Sequence, residues 1–183
     1  GIATPLALTG MIFYIIHHMI VMTTLFLGGG LVYLLGGTYR LEKLGGIYGS
    51  QPMVAFLLFI PAISLAGLPP LSGFWPKLTI FQAGLGEQEY IMIAVAVIMS
   101  FLTLYSMIKI WNQAFWKAAP EDPPASPKDI PSWKLQVVPV IMLTVLIVAI
   151  GLMPEPVFQL AEKAADQILS PLEYINIVFG GGS

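Results

Sequence analysis

The 183-residue chain contains no cysteine. That excludes a disulfide scaffold, a thiolate zinc site and an iron–sulfur cluster held by this chain. Charge is nearly as scarce. Eight Lys and Arg and ten Asp and Glu make up 10% of the residues, against about 25% in soluble domains. Hydrophobic residues make up 57%, and the mean hydropathy is +0.83. A soluble domain of this size has too little interior to hide so much apolar surface, and a disordered chain is far more polar. No basic tract is present, so no nucleic-acid partner is expected. Histidine occurs only twice, at His17 and His18, and neither Cys nor a carboxylate stands near in sequence, so no metal site is expected there. Nothing in the pattern calls for a cofactor.

What is there is a set of long uncharged runs. Residues 1–39, 44–76, 90–108 and 135–154 carry no Asp, Glu, Lys or Arg. A membrane span needs roughly 20 mostly apolar residues, so four runs qualify. Solidly apolar stretches favour helices over the alternating strands of a barrel. The expected fold is an all-α integral membrane bundle of about four spans: residues 6–35, 52–85, 89–117 and 134–152. Residues 118–133 hold five prolines and mixed charge and read as a surface loop. Residues 153–179 read as an amphipathic tail. There Val157, Leu160, Ala161, Ala164 and Ile168 share a face, which suits either the membrane interface or packing on the protein itself. The chain starts without Met and ends in Gly-Gly-Gly-Ser at 180–183. It reads as a piece of a longer protein with a linker-like end.

Loop lysines and arginines set orientation. Arg40, Lys43, Lys117, Lys128 and Lys134 fall on one side and only Lys163 on the other. Loops 36–51 and 118–133 are therefore expected in the cytoplasm, with the C-terminus outside the cell membrane.

The second run cannot be one straight helix. Thirty-four residues would extend about 50 Å across a hydrocarbon core of about 30 Å. Pro69 and Pro70 each remove a backbone donor, and Gly67 and Gly73 flank them. A break between Gly67 and Gly73 is expected. Irregular backbone at that depth is tolerated only inside protein or beside water, the architecture of ion sites. Lys77 follows the break by one turn and is the sole charge between Lys43 and Glu87. A lysine at mid-membrane costs about 2.5–3.5 kcal/mol or more. Desolvation disfavours the charged form of any lysine, and a proton relay needs that property. The plainer reading is a lysine snorkelling past Trp75 to a headgroup.

The first run holds Tyr14, His17, His18, Thr23 and Thr24. Histidine is the natural proton carrier near neutral pH. His18 lies four residues from Tyr14 and shares its face; His17 points about 100° away. His18 is thus the first candidate and His17 the second, each against the plainer reading of a neutral histidine bonded to a neighbouring helix. Ser72 joins Tyr14, Thr23 and Thr24 as a candidate for an auxiliary polar path. Lys109, near Trp111 and Trp116, reads as a snorkelling lysine. Glycines 28–30 and 36–37 lack the strand and Lys–Ser/Thr of a phosphate loop and read as close packing or a helix end.

Three strings carry a resemblance: TPLALTGMIFYIIHHMIVMTTLFL, GGTYRLEKLGGIYG and PAISLAGLPPLSGFWPKL. They resemble the D subunits of multisubunit Mrp-type Na+(K+)/H+ antiporters, and more distantly the antiporter-like proton-pumping subunits of respiratory complex I. The resemblance implies the C-terminal third of a roughly fourteen-span fold with two inverted repeats, each with a broken helix. Residues 1–117 would belong to the second repeat. It implies that Lys77 is the essential lysine of the broken helix and His18 a member of the central polar axis. Met22 stands where complex I relatives often carry a lysine four residues after the histidine.

The expected function is therefore proton translocation within a monovalent cation/proton antiporter, a secondary transporter and not an enzyme. Its partners would be other subunits of a hetero-oligomeric membrane complex, H+, Na+ or K+, and lipid. The alternatives are a proton-pumping subunit of a complex I-like or hydrogenase-like redox complex, with the same local chemistry, and a structural subunit whose lysine is idle.

Overall fold

A computed structural model describes residues 2–119 and 133–170. Most of the Pro-rich segment and residues 171–183, with the linker-like end, lie outside the described residues. Every regular element described is helical. The helices are α1 (Pro5–Gly36), a 3-10 turn (Leu41–Lys43), α2 (Ile47–Ser50), α3 (Pro52–Ala66), α4 (Phe74–Gly86), α5 (Tyr90–Trp111, continued by a π turn Asn112–Trp116), α6 (Trp133–Leu152) and α7 (Glu155–Leu169).

Local sequence explains the ends. Thr4 caps α1, its hydroxyl accepting from the Ala7 N–H, and Pro5 occupies the first turn where its missing donor costs nothing. Gly37 ends α1 in the left-handed conformation, φ 63°. Gly67 ends α3 in the same way, φ 90°. Three helices are long and apolar enough to cross a membrane: Pro5–Gly36, Tyr90–Trp116 and Leu135–Leu152. By length, α3 and α4 extend about 22 Å and 20 Å, so neither is long enough to cross a hydrocarbon core of about 30 Å alone.

The register of the bundle follows from close approaches. Gly28 of α1 leaves room for Leu58 of α3, His17 meets Ser72 in the break, and Gly10 faces Ile80 of α4. α1 therefore runs antiparallel to the broken pair, with His17 level with the break. α6 runs parallel to α3: Thr144 donates to the Leu57 carbonyl, and Gly151 packs on Pro70 and Leu71. The last turn of α6 thus also ends at the break, and the Trp75 indole N–H donates to its Gly151 carbonyl at 2.7 Å. Below the break the core is Leu31, Leu44, Val54, Leu58, Phe115 and Val140. The loop 36–51 folds under the end of α5, where the Lys117 ammonium donates to the Glu42 carbonyl at 2.6 Å and the Gly46 N–H to the Lys117 carbonyl.

α7 packs lengthwise on α1. Phe158 meets Phe13 edge-on, ring centroids 6.5 Å apart, and Ala161 and Ala165 are buried. This corrects the face read from the sequence. Leu160 and Ile168 are exposed. The stripe that packs is Val157, Phe158, Ala161 and Ala165, because the Phe158 ring supplies the largest apolar surface and turns the helix toward Phe13.

Candidate functional site

The site is built from the broken pair, α1 and α5. Pro69 and Pro70 cannot continue a helix, so the carbonyls at the end of α3 have no helical donors beyond Gly67 and Leu68. Lys77, one turn into α4, folds back over the gap. Its Nζ donates to the Leu65 carbonyl at 3.0 Å and to the Ala66 carbonyl at 2.9 Å. The ammonium sits on the negative end of the α3 dipole. Gly67 makes this possible, because a Cβ there would come within 2.7 Å of the Lys77 Cδ. Among the described residues no carboxylate pairs with Lys77, and the one ion pair is the exposed Arg40–Glu42 contact.

His17 is 1% exposed. Its Nδ1 lies 2.9 Å from Ser72 Oγ, which lies 3.2 Å from Ser64 Oγ. The Gly73 N–H donates to Ser64 Oγ at 3.3 Å. His17 Nε2 has no hydrogen-bond partner among the described residues. The imidazole ring rests against Gly73, where a Cβ would come 2.8 Å from Nε2 and collide with the Ser64 carbonyl.

His18 is placed differently. It is half-buried and stacks on Tyr14, centroids 5.5 Å apart and planes 19° apart. The shared face expected of Tyr14 and His18 is present, but His17, the second candidate, is the histidine that reaches the break. Thr24 is buried and Thr23 is not, and both hydroxyls donate to carbonyls of their own helix, Ile20 and Met19. The structure does not bring either threonine to Lys77.

Beside Lys77 lies a cavity of about 300 Å³, lined by Tyr14, Lys77, Ile80, Phe81, Ala96, Met99, Ser100 and Thr103. Ser100 and Thr103 were missed in the sequence. They stand within a mostly apolar helix and their protons go to Ala96 and Met99 carbonyls, but their oxygens keep lone pairs for water. Their spacing of three from each other was the available signal.

A sequence model of the family described as NADH:quinone oxidoreductase/Mrp antiporter, transmembrane, matches residues 1–103. The chain belongs to that family. It is 42% identical over 178 residues to the D subunit of a Na(+)/H(+) antiporter of Alkalihalophilus pseudofirmus, covering 97% of this chain and 36% of that protein. To the D subunit of a Na(+)/H(+) antiporter of Bacillus subtilis it is 36% identical, with the same coverage. A chain in the structure of the Mrp complex from Dietzia sp. DQ12-45-1b superimposes with a TM-score of 0.84 at 32% identity, over 94% of this chain and 40% of that one. The chain thus spans little more than a third of the length of these relatives. This family member is a multi-pass helical membrane protein related both to the D subunits of Mrp antiporters and to subunits of complex I.

Proposed function

We propose that this chain is the second-repeat part of a proton-translocating subunit of a multisubunit Na+/H+ antiporter. In this reading residues 1–117 belong to the second repeat of a roughly fourteen-span, inverted-repeat fold. The remaining spans and other membrane subunits complete the machine. Loops 36–51 and 118–133 face the cytoplasm and the C-terminus faces outside.

One observation carries the reading: an uncompensated lysine holds the open end of a broken helix through two backbone carbonyls. Charged, Lys77 makes two charge-assisted hydrogen bonds to the end of α3. Neutral, it loses the attraction to the helix dipole and about half the strength of those bonds. Proton loss therefore frees the side chain to swing toward the cavity, and proton gain returns it. Water in the cavity beside Tyr14, Ser100 and Thr103 would deliver the proton. His17 lies level with the break, against Ser72 and Gly73, as the next carrier. His18 and Tyr14 form the edge of α1 from which a path continues into the rest of the protein. Exchange needs no bond chemistry beyond proton transfer, so the subunit is a transporter component.

The test is Lys77→Ala in the full complex, reconstituted in vesicles. Cation exchange driven by a pH gradient is expected to fall to background. Wild-type exchange in an assembled Lys77→Ala complex would sink the reading. The family description also names NADH:quinone oxidoreductase, and a redox-driven pump would use the same lysine. Quinone-oxidoreductase partner subunits in the purified complex would select that reading.

A further inference from the structure

The Ser64–Ser72–His17 chain has a polarity, and the geometry fixes it. The Gly73 N–H can only donate, so Ser64 Oγ accepts from it. The Ser64 hydroxyl proton then has one acceptor within reach among the described residues, Ser72 Oγ. The Ser72 proton has one acceptor in turn, His17 Nδ1. Each hydroxyl proton is used once. The reverse polarity would leave the Ser64 proton without an acceptor in a site where Ser64 is 0% exposed and Ser72 is 2% exposed. Leaving such a group unmade costs about 1–3 kcal/mol, so the forward polarity wins.

We propose that Ser64 and Ser72 are positioning residues that hold neutral His17 with its proton on Nε2, the nitrogen that no group among the described residues engages. The first proton acceptor, Nδ1, is thereby occupied by Ser72. An incoming proton must reach Nδ1 by reversing the hydroxyl chain, and the proton ready to leave is the one on Nε2. Gly73 N–H is the anchor of the device, since Gly73 belongs to the break and is the N-cap position of α4. The chain links the protonation of His17 to the backbone of the broken helix. Ser64 lies in the last turn of α3 and Ser72 just before α4, so the two hydroxyls also tie α3 to α4. This inference rests on the reading of His17 and Lys77 as proton carriers, but its first test does not use transport.

That test is the 15N spectrum of histidine-labelled full complex at alkaline pH, with His17 identified by the loss of its signals in His17→Gln. A protonated Nε2 and an unprotonated Nδ1 are expected. Ser72→Ala should move His17 toward the Nδ1–H form. Ser64→Ala should give a mixture, because Ser72 is then free to turn, and this variant serves if Ser72→Ala does not assemble. Wild type with its proton on Nδ1, or an unchanged tautomer in the serine variants, overturns the proposal. In vesicles, Ser72→Ala should reduce exchange about tenfold, the worth of one buried hydrogen bond. In a His17→Gln background it should reduce exchange no further. An equal loss in both backgrounds means Ser72 does not act through His17, and also overturns it. Normal exchange in Lys77→Ala with the expected tautomer would instead defeat the transport reading alone.

Discussion

Lys77 Nζ lies 2.9 Å from the carbonyl oxygen of Ala66, the last residue of α3. A side chain from the second half-helix thus caps the first. The free carbonyls of a helix end need donors, and the proline pair has removed the backbone donors that a continuous helix would supply. A charged ammonium makes the stronger cap, so under the proposed mechanism protonation of Lys77 and the geometry of the break move together.

Arginine should keep the cap and lose the function. Its guanidinium can donate to both carbonyls but does not deprotonate in proteins. Lys77→Arg is expected to assemble like wild type and to exchange no better than Lys77→Ala. Vesicle assays on complexes matched for subunit content check this, and retained exchange in Lys77→Arg would mean that Lys77 never releases its proton.

Gly67→Ala should damage the same contact from the other side. The left-handed φ of 90° penalises any Cβ by about 1–2 kcal/mol, and that Cβ would press on the Lys77 side chain. Expected outcomes are a lower Tm of the purified complex and a loss of exchange larger than the drop in Tm explains. Gly29→Ala is the control, since a Cβ there meets nothing within 4 Å, and its Tm should not fall.

Much of this was legible because membrane sequences write their punctuation strongly. Pro69, Pro70 and Gly67 mark the break by backbone chemistry alone, and a solitary Lys77 marks itself. The choice between His17 and His18 was not legible. Helical spacing says which residues share a face with Tyr14, and says nothing of which face meets the broken pair; that is decided by Gly28, Gly10 and Gly73 letting the backbones approach. The α7 stripe was misread for a related reason. Val157 and Ala161 were on the expected face, but Phe158 and Ala165 were not: an alanine is a weak signal in composition, and the burial of Ala165 depends on Phe158 finding Phe13. Ser100 and Thr103 were passed over because isolated hydroxyls in a mostly apolar helix satisfy themselves on its own carbonyls, and only the cavity gives them a role.

This chain has no cysteine, so thiols can be placed along that cavity in a complex whose other subunit segments have been cleared of cysteine. Thr103→Cys and Ser100→Cys should react with a small charged thiol reagent in the assembled complex, and reaction should block exchange. Ile98→Cys, exposed on the outer surface of α5, should react far more slowly because lipid excludes charged reagents. Protection of both cavity positions would show that water does not reach Lys77 along α5.

Two tryptophans provide a matched pair for stability. The Trp75 indole N–H donates to the Gly151 carbonyl at 2.7 Å and joins α4 to the end of α6. The Trp111 indole N–H is buried with no partner among the described residues, while its ring stacks on Phe115 at 4.2 Å. Replacing either with phenylalanine removes similar ring area. Only at Trp75 does it also orphan a helix-end carbonyl, which costs about 1–3 kcal/mol. At Trp111 it removes an unsatisfied buried donor, which offsets the lost packing. Trp75→Phe is therefore expected to lower the Tm of the complex clearly, and Trp111→Phe by less. If Trp111→Phe proves the more damaging, the indole of Trp111 has a hydrogen-bond partner elsewhere in the full assembly, and the lock between α4 and α6 is weaker than its 2.7 Å bond implies.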